Sequence, residues 1–379
     1  MIKKQWLIFI VLVFIFTIIY AIGSQITLSL KPKNYSVSIE NIPAREKKAL
    51  EFITQRISGT ELSVYTNYIN RKSNEEVVAT GKDILSESQG LLLLYLLNRD
   101  KKEYFDVCLD WTVNNLYLDN GIFAWMKTKS SQIKNTNALI DDLRIVRALI
   151  LANKKWENKK YLKYIQKSSK ALLTYNVKDN MHLDFYDNGF KSKSNIITIS
   201  YLDLYTMKEL TNVDFKWNKV YENSYELVKN SKIKGTGLYK FQYNLDQHIY
   251  TTSNEISLIQ SIYTMVHLAE IGEYDIEGIN WIWDEYEKYG KIFATYSYET
   301  YEPMSDIEST ALYALIARLF YLKGEYHKAE RILNECEKFQ VMNSNSEIYG
   351  GFGNEYNKEI YSFDNLQYIL SSSIIHKKN

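Results

Sequence analysis

Six strongly apolar helical segments recur along this chain at a near-constant interval. That interval restricts the fold more than any other feature. The segments begin near Ser86, Asp141, Ile199, Asn254, Asp306 and Phe363, about 52–58 residues apart, a period that marks repeated supersecondary units. More amphipathic helices alternate with them: Ala44–Ile57, Glu103–Asn115, Asn158–Tyr175, Lys216–Ser231, Glu277–Tyr289 and Glu325–Phe339. A helix apolar all round packs on both sides, whereas an amphipathic one turns a polar face to water. Six such hairpins predict an all-α closed (α/α)6 barrel with the apolar helices inside.

Composition supports this. The chain has only 15 Gly and 3 Pro in 379 residues, too few for an all-β fold with its many turns. The net charge is +1, from 46 Lys+Arg against 45 Asp+Glu. Without a basic stripe, nucleic acid is a poor partner. Cys108 and Cys336 are far apart in sequence, and no Cys/His spacing suggests zinc, so no metal or cofactor is expected.

The N-terminus carries Lys3 and Lys4, then Trp6 to Ile22 without a charge. That run is at the lower limit for a bilayer span and longer than an ordinary signal-peptide core. Residues 1–23 are therefore expected to be a transmembrane anchor or a signal peptide, with the remainder outside the cytoplasmic membrane. Residues 24–42 read as a tether and 43–379 as one helical domain.

Short aromatic stretches precede several inner helices: Leu62–Tyr68, Gly121–Trp125, Met181–Tyr186, Leu238–Tyr243 and Phe293–Tyr298. They alternate like strands and fall on the side where inner helices begin, so they would line one mouth of the barrel. Aromatic faces stack on the apolar faces of sugar rings, and the 32 tyrosines suit a carbohydrate groove. A core-capping role would suit each of them equally.

The most specific segment is Ser86-Glu87-Ser88-Gln89-Gly90, followed by Phe105, Trp111-Thr112 and Phe123-Ala124-Trp125. Further on stands Asn137-Ala138-Leu139-Ile140-Asp141-Asp142-Leu143-Arg144-Ile145. These stretches resemble glycoside hydrolase family 8, and within it the hydrolases encoded beside bacterial exopolysaccharide synthases. The resemblance implies an (α/α)6 barrel and inverting hydrolysis of β-linked polymers. It implies that Glu87 is the general acid, that Asp142 holds the sugar at the cleavage point, and that Trp125 stacks on sugar. Tyr201 matches a family segment whose proline is missing here, and Gln89 and Tyr243 join the substrate-binding candidates. Ile140 and Arg144 replace two acidic residues of the family signature.

An inverting enzyme needs a second carboxylate roughly 6.5–9.5 Å from the acid, leaving room for the attacking water. Asp246, in an aromatic loop, is the favoured base, and Glu255 is the alternative. Asp306 and Asp184, also ahead of inner helices, remain open. His248 stands two residues from Asp246 and would orient it. The sequence thus predicts an extracytoplasmic endo-β-glycosidase acting on an exopolysaccharide or related glycan, with a polysaccharide synthase or export complex as a candidate partner. Two other classes stay open. A non-catalytic glycan-binding protein would explain the altered signature. A polysaccharide lyase would use Tyr with His or Arg, though the even charge balance argues against it.

Overall fold

The computed structural model describes residues 33–69, 79–251 and 253–377. The segment 1–23, expected to anchor or export the chain, lies outside the described residues. Among those that are described, no helix is long and apolar enough to cross a membrane.

Twelve α-helices are present among the described residues. They are α1 (Ala44–Arg56), α2 (Ser86–Asn98), α3 (Lys102–Leu116), α4 (Leu139–Trp156), α5 (Lys159–Tyr175) and α6 (Leu204–Leu210), then α7 (Trp217–Asn230), α8 (Leu258–Glu270), α9 (Ile276–Tyr289), α10 (Thr310–Lys323), α11 (Tyr326–Glu337) and α12 (Ser362–Ile375). The even-numbered helices pack successively against one another, and α12 returns to α2. This closes the inner ring of an (α/α)6 barrel. The sixth hairpin is split between the termini, because α1 packs on α12.

The sequence explains the two rings. In α10, every residue from Thr310 to Phe320 is buried, so no face remains for water. In α11, Ala329, Ile332, Leu333 and Cys336 are buried at spacings of three, one and three residues, which makes a single stripe. Side-chain caps fix several starts: Asn158 accepts from Lys160 N, Asp275 from Gly278 N and Ser309 from Leu312 N. Gly324, at φ +86°, ends α10 in the left-handed conformation that lets the chain turn directly into α11.

Two expected boundaries differ. The run beginning at Ile199 is a 3₁₀ turn, Ile199–Tyr201, followed by a break and the short α6. Asp203 causes the break by capping α6, accepting from Thr206 N. Residues 33–42 are not merely a tether. Val37 and Ile39 share one side of an extended segment, and both are buried in the core.

Short strands stiffen the loops at the end where inner helices begin. Ile84–Leu85, just ahead of α2, pairs with Met126–Lys127 after α3. Ile196–Thr198 pairs with Gln242–Asn244 after α7. Glu255–Ser257, just ahead of α8, pairs with Thr295–Ser297 after α9. Each pairing ties one hairpin to the next around the same mouth.

The tyrosines divide differently from expectation. Tyr95, Tyr161, Tyr296, Tyr313 and Tyr368 are fully buried in the core. Several spend their hydroxyls on carboxylates, as Tyr95 does on Glu46 at 2.9 Å and Tyr368 on Glu337 at 2.6 Å. A ring in the core with its hydroxyl satisfied is stabilising, and such tyrosines are not open to a groove.

Candidate active site

A cavity of about 400 Å³ opens where α2, α4 and α8 begin. Its lining includes Glu87, Trp125, Asp141, Arg144, Tyr201, Tyr263 and Phe363. Glu87 occupies the first turn of α2. The strand pairing just before that helix places Trp125 alongside, and Ser86 N donates to Trp125 O at 3.0 Å. Tyr263 and Phe363 stack with centroids 6.5 Å apart. Four aromatic rings thus line a cavity that also holds the charged groups of Glu87, Asp141 and Arg144.

The Glu87 carboxyl has no hydrogen-bond partner among the described residues. Burial and the neighbouring Asp141 and Asp364 push its pKa up to about 7, against the pull of Arg144. Asp141 is 6% exposed and held on both oxygens: Ser86 Oγ donates at 2.8 Å and Arg144 Nη1 at 2.7 Å. Burial pushes Asp141 upward, while Arg144 and these hydrogen bonds favour its charge. The arrangement sets a protonatable carboxyl beside an anchored carboxylate.

Gly90 lets the Arg144 side chain pass close to α2. A Cβ there would lie 3.1 Å from Cγ and Cδ of Arg144, whose stem runs across the first turns of α2. Arg144 also donates to Tyr263 Oη at 3.5 Å, and Gln367 Nε2 donates to the same hydroxyl. Arg144, Tyr263 and Phe363 were not among the sequence candidates for the site. The signal for Arg144 was its replacement of an acidic signature residue. For Tyr263 it was a polar ring within an apolar inner helix.

Other candidates lie elsewhere. Asp142 is 0% exposed, and its oxygens accept from Phe123 N at 2.9 Å and Asn137 Nδ2 at 2.9 Å. It fastens the loop after α3 to the start of α4 and does not reach the cavity. Gln89 is also fully buried, its oxygen on Val64 N and its nitrogen on Leu62 O and Thr112 Oγ1. Tyr243 lies edge-on to Tyr250 on the strand pair, outside the cavity lining.

Asp246 sits on the exposed turn between Gln242–Asn244 and Ile249–Tyr250, held by Lys178 Nζ and Asn195 Nδ2 at 3.0 Å each. Those contacts hold its carboxyl below the usual range. The register Ile196↔Asn244 puts it at the far end of the ladder, about 10 Å of strand from the turn that reaches the cavity. His248 is on the same turn, its Nδ1 3.5 Å from Tyr243 Oη. The side chains of Glu255 and Asp306 are exposed, and neither lines the cavity.

Asp184 is outside the cavity lining too, but it is tied to two segments that form it. Its backbone carbonyl accepts from Leu139 N, two residues before Asp141. Its carboxylate accepts from Thr198 N at 2.6 Å and Thr198 Oγ1 at 2.7 Å, two residues before Ser200 on the cavity wall. Burial pushes Asp184 up to about 6. Tyr201 lies in the field of Asp141, Asp184 and Glu87 together, which with burial drives its hydroxyl far above the usual value.

Among known proteins, the model of the family described as glycosyl hydrolases family 8 matches residues 63–269. The structure of a novel alpha-amylase from Clostridium perfringens is similar, with 33% identity and a TM-score of 0.83, over 88% of this chain and 98% of that one. PssZ from Listeria monocytogenes shares the fold with a TM-score of 0.68 at 21% identity, over 90% and 97%. A Bacillus subtilis protein named "Putative lipoprotein YdaJ" is 28% identical over 338 residues, 88% of this chain and 91% of its own. The family match spans more than half of the chain and includes α2 and α4, which carry Glu87 and Asp141. The chain belongs to glycosyl hydrolases family 8 and is a glycoside hydrolase.

Proposed function

We propose that this chain is an inverting, endo-acting glycosidase that cuts a bacterial exopolysaccharide or related β-linked glycan, with Glu87 as the general acid. One observation carries the reading: an unbonded carboxyl, pushed up to about 7, faces an aromatic cavity. A carboxyl group with that value is partly protonated near neutrality and can give its proton to a glycosidic oxygen. Asp141 keeps negative charge beside Glu87 and takes the sugar-positioning role expected of Asp142. Trp125 and Tyr201 supply stacking surface.

We assign the general base to Asp184 in preference to Asp246. What supports this is its attachment to both cavity-lining segments and its partial burial, against the exposure and ion pair of Asp246. A base of about 6 is ionised at neutral pH and can take a proton from water. Asp184→Asn is expected to lower kcat by about 10²-fold or more, while Asp246→Asn stays near wild type. The reverse order would return the role to Asp246.

A second reading has its own support. The relative at 33% identity is described as an alpha-amylase, which favours an α-linked glucan. Reducing-end assays on α-1,4- and β-1,4-linked glucans and on exopolysaccharide, with Glu87→Gln as control, separate the two. We place the domain outside the cytoplasmic membrane. The uncharged run from Trp6 to Ile22 after two lysines and the name of the Bacillus relative both support that placement.

A further inference from the structure

A second cavity, about 100 Å³, lies within the inner helical ring and shares Ile140, Arg144 and Tyr263 with the Glu87 cavity. Three guanidinium groups line it: Arg144, Arg147 and Arg318. Two have carboxylate partners. Arg144 pairs with Asp141 at 2.7 Å. Arg147 pairs with Glu270 at 2.6 Å and lies 3.7 Å from Asp203.

Arg318 differs. It is only 5% exposed. Its Nε and Nη2 donate to Ser371 Oγ at 3.3 and 3.0 Å, and Nη2 also to Gln367 Oε1 at 3.0 Å. These partners are neutral. Among the described residues no carboxylate stands within ion-pair distance of Arg318, although Glu270 on the same cavity wall acts on it from further off, and its Nη1 has no acceptor. A second unsatisfied group lines the same cavity. His267 is 5% exposed, and its Nε2 has no hydrogen-bond partner among the described residues. A charge removed from water without a counter-charge is costly, and buried charges are ordinarily paired.

We propose that a small monovalent anion of the chloride type binds in this cavity against Arg318. The volume accommodates one such ion with one or two waters, given about 30 Å³ per water. A divalent cation is disfavoured. Asp203, His267 and Glu270 are close enough together to hold one, but Arg147 already lies against both carboxylates, and two further guanidiniums line the cavity. Arg144 links the anion to the active site, because its side chain lines both cavities and neutralises Asp141 beside Glu87. The anion is therefore a structural ion of the barrel interior whose charge also reaches the catalytic acid. This inference holds whether or not the chain cleaves glycans.

Two measurements on the full chain test it, and neither needs a substrate. Crystals grown in sodium bromide are expected to give an anomalous difference peak inside the barrel, within hydrogen-bonding distance of Arg318 Nη1. Thermal unfolding in bromide or chloride, with gluconate holding ionic strength constant, should show a saturable rise in Tm that Arg318→Met lacks. Bromide peaks confined to the surface, or only ordered water or a cation in the cavity, overturn the proposal. An equal Tm rise in Arg318→Met overturns it as well. Should that variant fail to fold, the wild-type diffraction decides alone.

Discussion

Glu87 stands between opposing fields. The start of α2 favours a charged carboxylate through the helix dipole, and Arg144 acts the same way. Burial and the negative charge of Asp141 act the other way and win, giving about 7. As the proposed general acid, Glu87 must be protonated to work, so activity should fall as pH rises through about 7. A pH profile of kcat/KM measures that limb. Asp141→Asn removes a charge that raises Glu87, so the alkaline limb should move to lower pH. The same raised value affects stability. A carboxyl whose folded pKa exceeds its unfolded one loses stability as pH rises from about 4.5 to 7, and the loss persists above that. Glu87→Gln should therefore be the more stable protein at pH 8, by up to about 3 kcal/mol. That advantage should vanish below about pH 4, as urea titrations at the two pH values would show. An advantage independent of pH would mean that Glu87 is not desolvated.

At the scale of elements, the two rings of helices were readable because an apolar circumference and a single stripe leave different traces in sequence. That Glu87 stands at the start of an inner helix was readable too, from Ser86-Glu87-Ser88-Gln89-Gly90. Asp141 and Asp142 were not separable in this way. Neighbouring helical positions point about 100° apart, and the choice depends on the rotation of α4 about its axis. That rotation is set by contacts from outside the helix, namely Phe123 and Asn137 on one side and Ser86 on the other. The position of Asp246 outside the cavity lining was not readable for a related reason. A hairpin has two ends, and only the pairing register shows which one points to the cavity. Gly90 is the clearest coupling between elements. Gly90→Ala adds about 1 kcal/mol of intrinsic helix preference but drives a methyl into Arg144, and overpacking costs about 1–3 kcal/mol. The variant should have a lower urea midpoint and a shifted alkaline limb. A higher midpoint with an unchanged pH profile would show that Arg144 is not held by this contact.

Across the whole molecule, closure depends on the helices nearest the two termini. Glu46 on α1 is fully buried. It accepts from Tyr95 Oη at 2.9 Å, Arg99 Nε at 2.8 Å and Ser372 Oγ at 2.7 Å. One carboxylate thereby joins α1, the α2 end and α12, completing the sixth hairpin. Glu46→Ala strands a buried guanidinium, a change that costs about 3–5 kcal/mol. The barrel should then unfold at a markedly lower denaturant concentration, in a single transition if closure is cooperative. The active site draws on the same closure, since Glu87 comes from α2 and Phe363 from α12. The most direct test of the catalytic account is proton NMR of the anomeric region during cleavage of a glucan or exopolysaccharide oligomer by wild type and Glu87→Gln. The account predicts that wild type first releases a reducing end of configuration opposite to the cleaved bond, and that Glu87→Gln releases none. Cleavage by Glu87→Gln at the wild-type rate, or a first product of unchanged configuration, would contradict it.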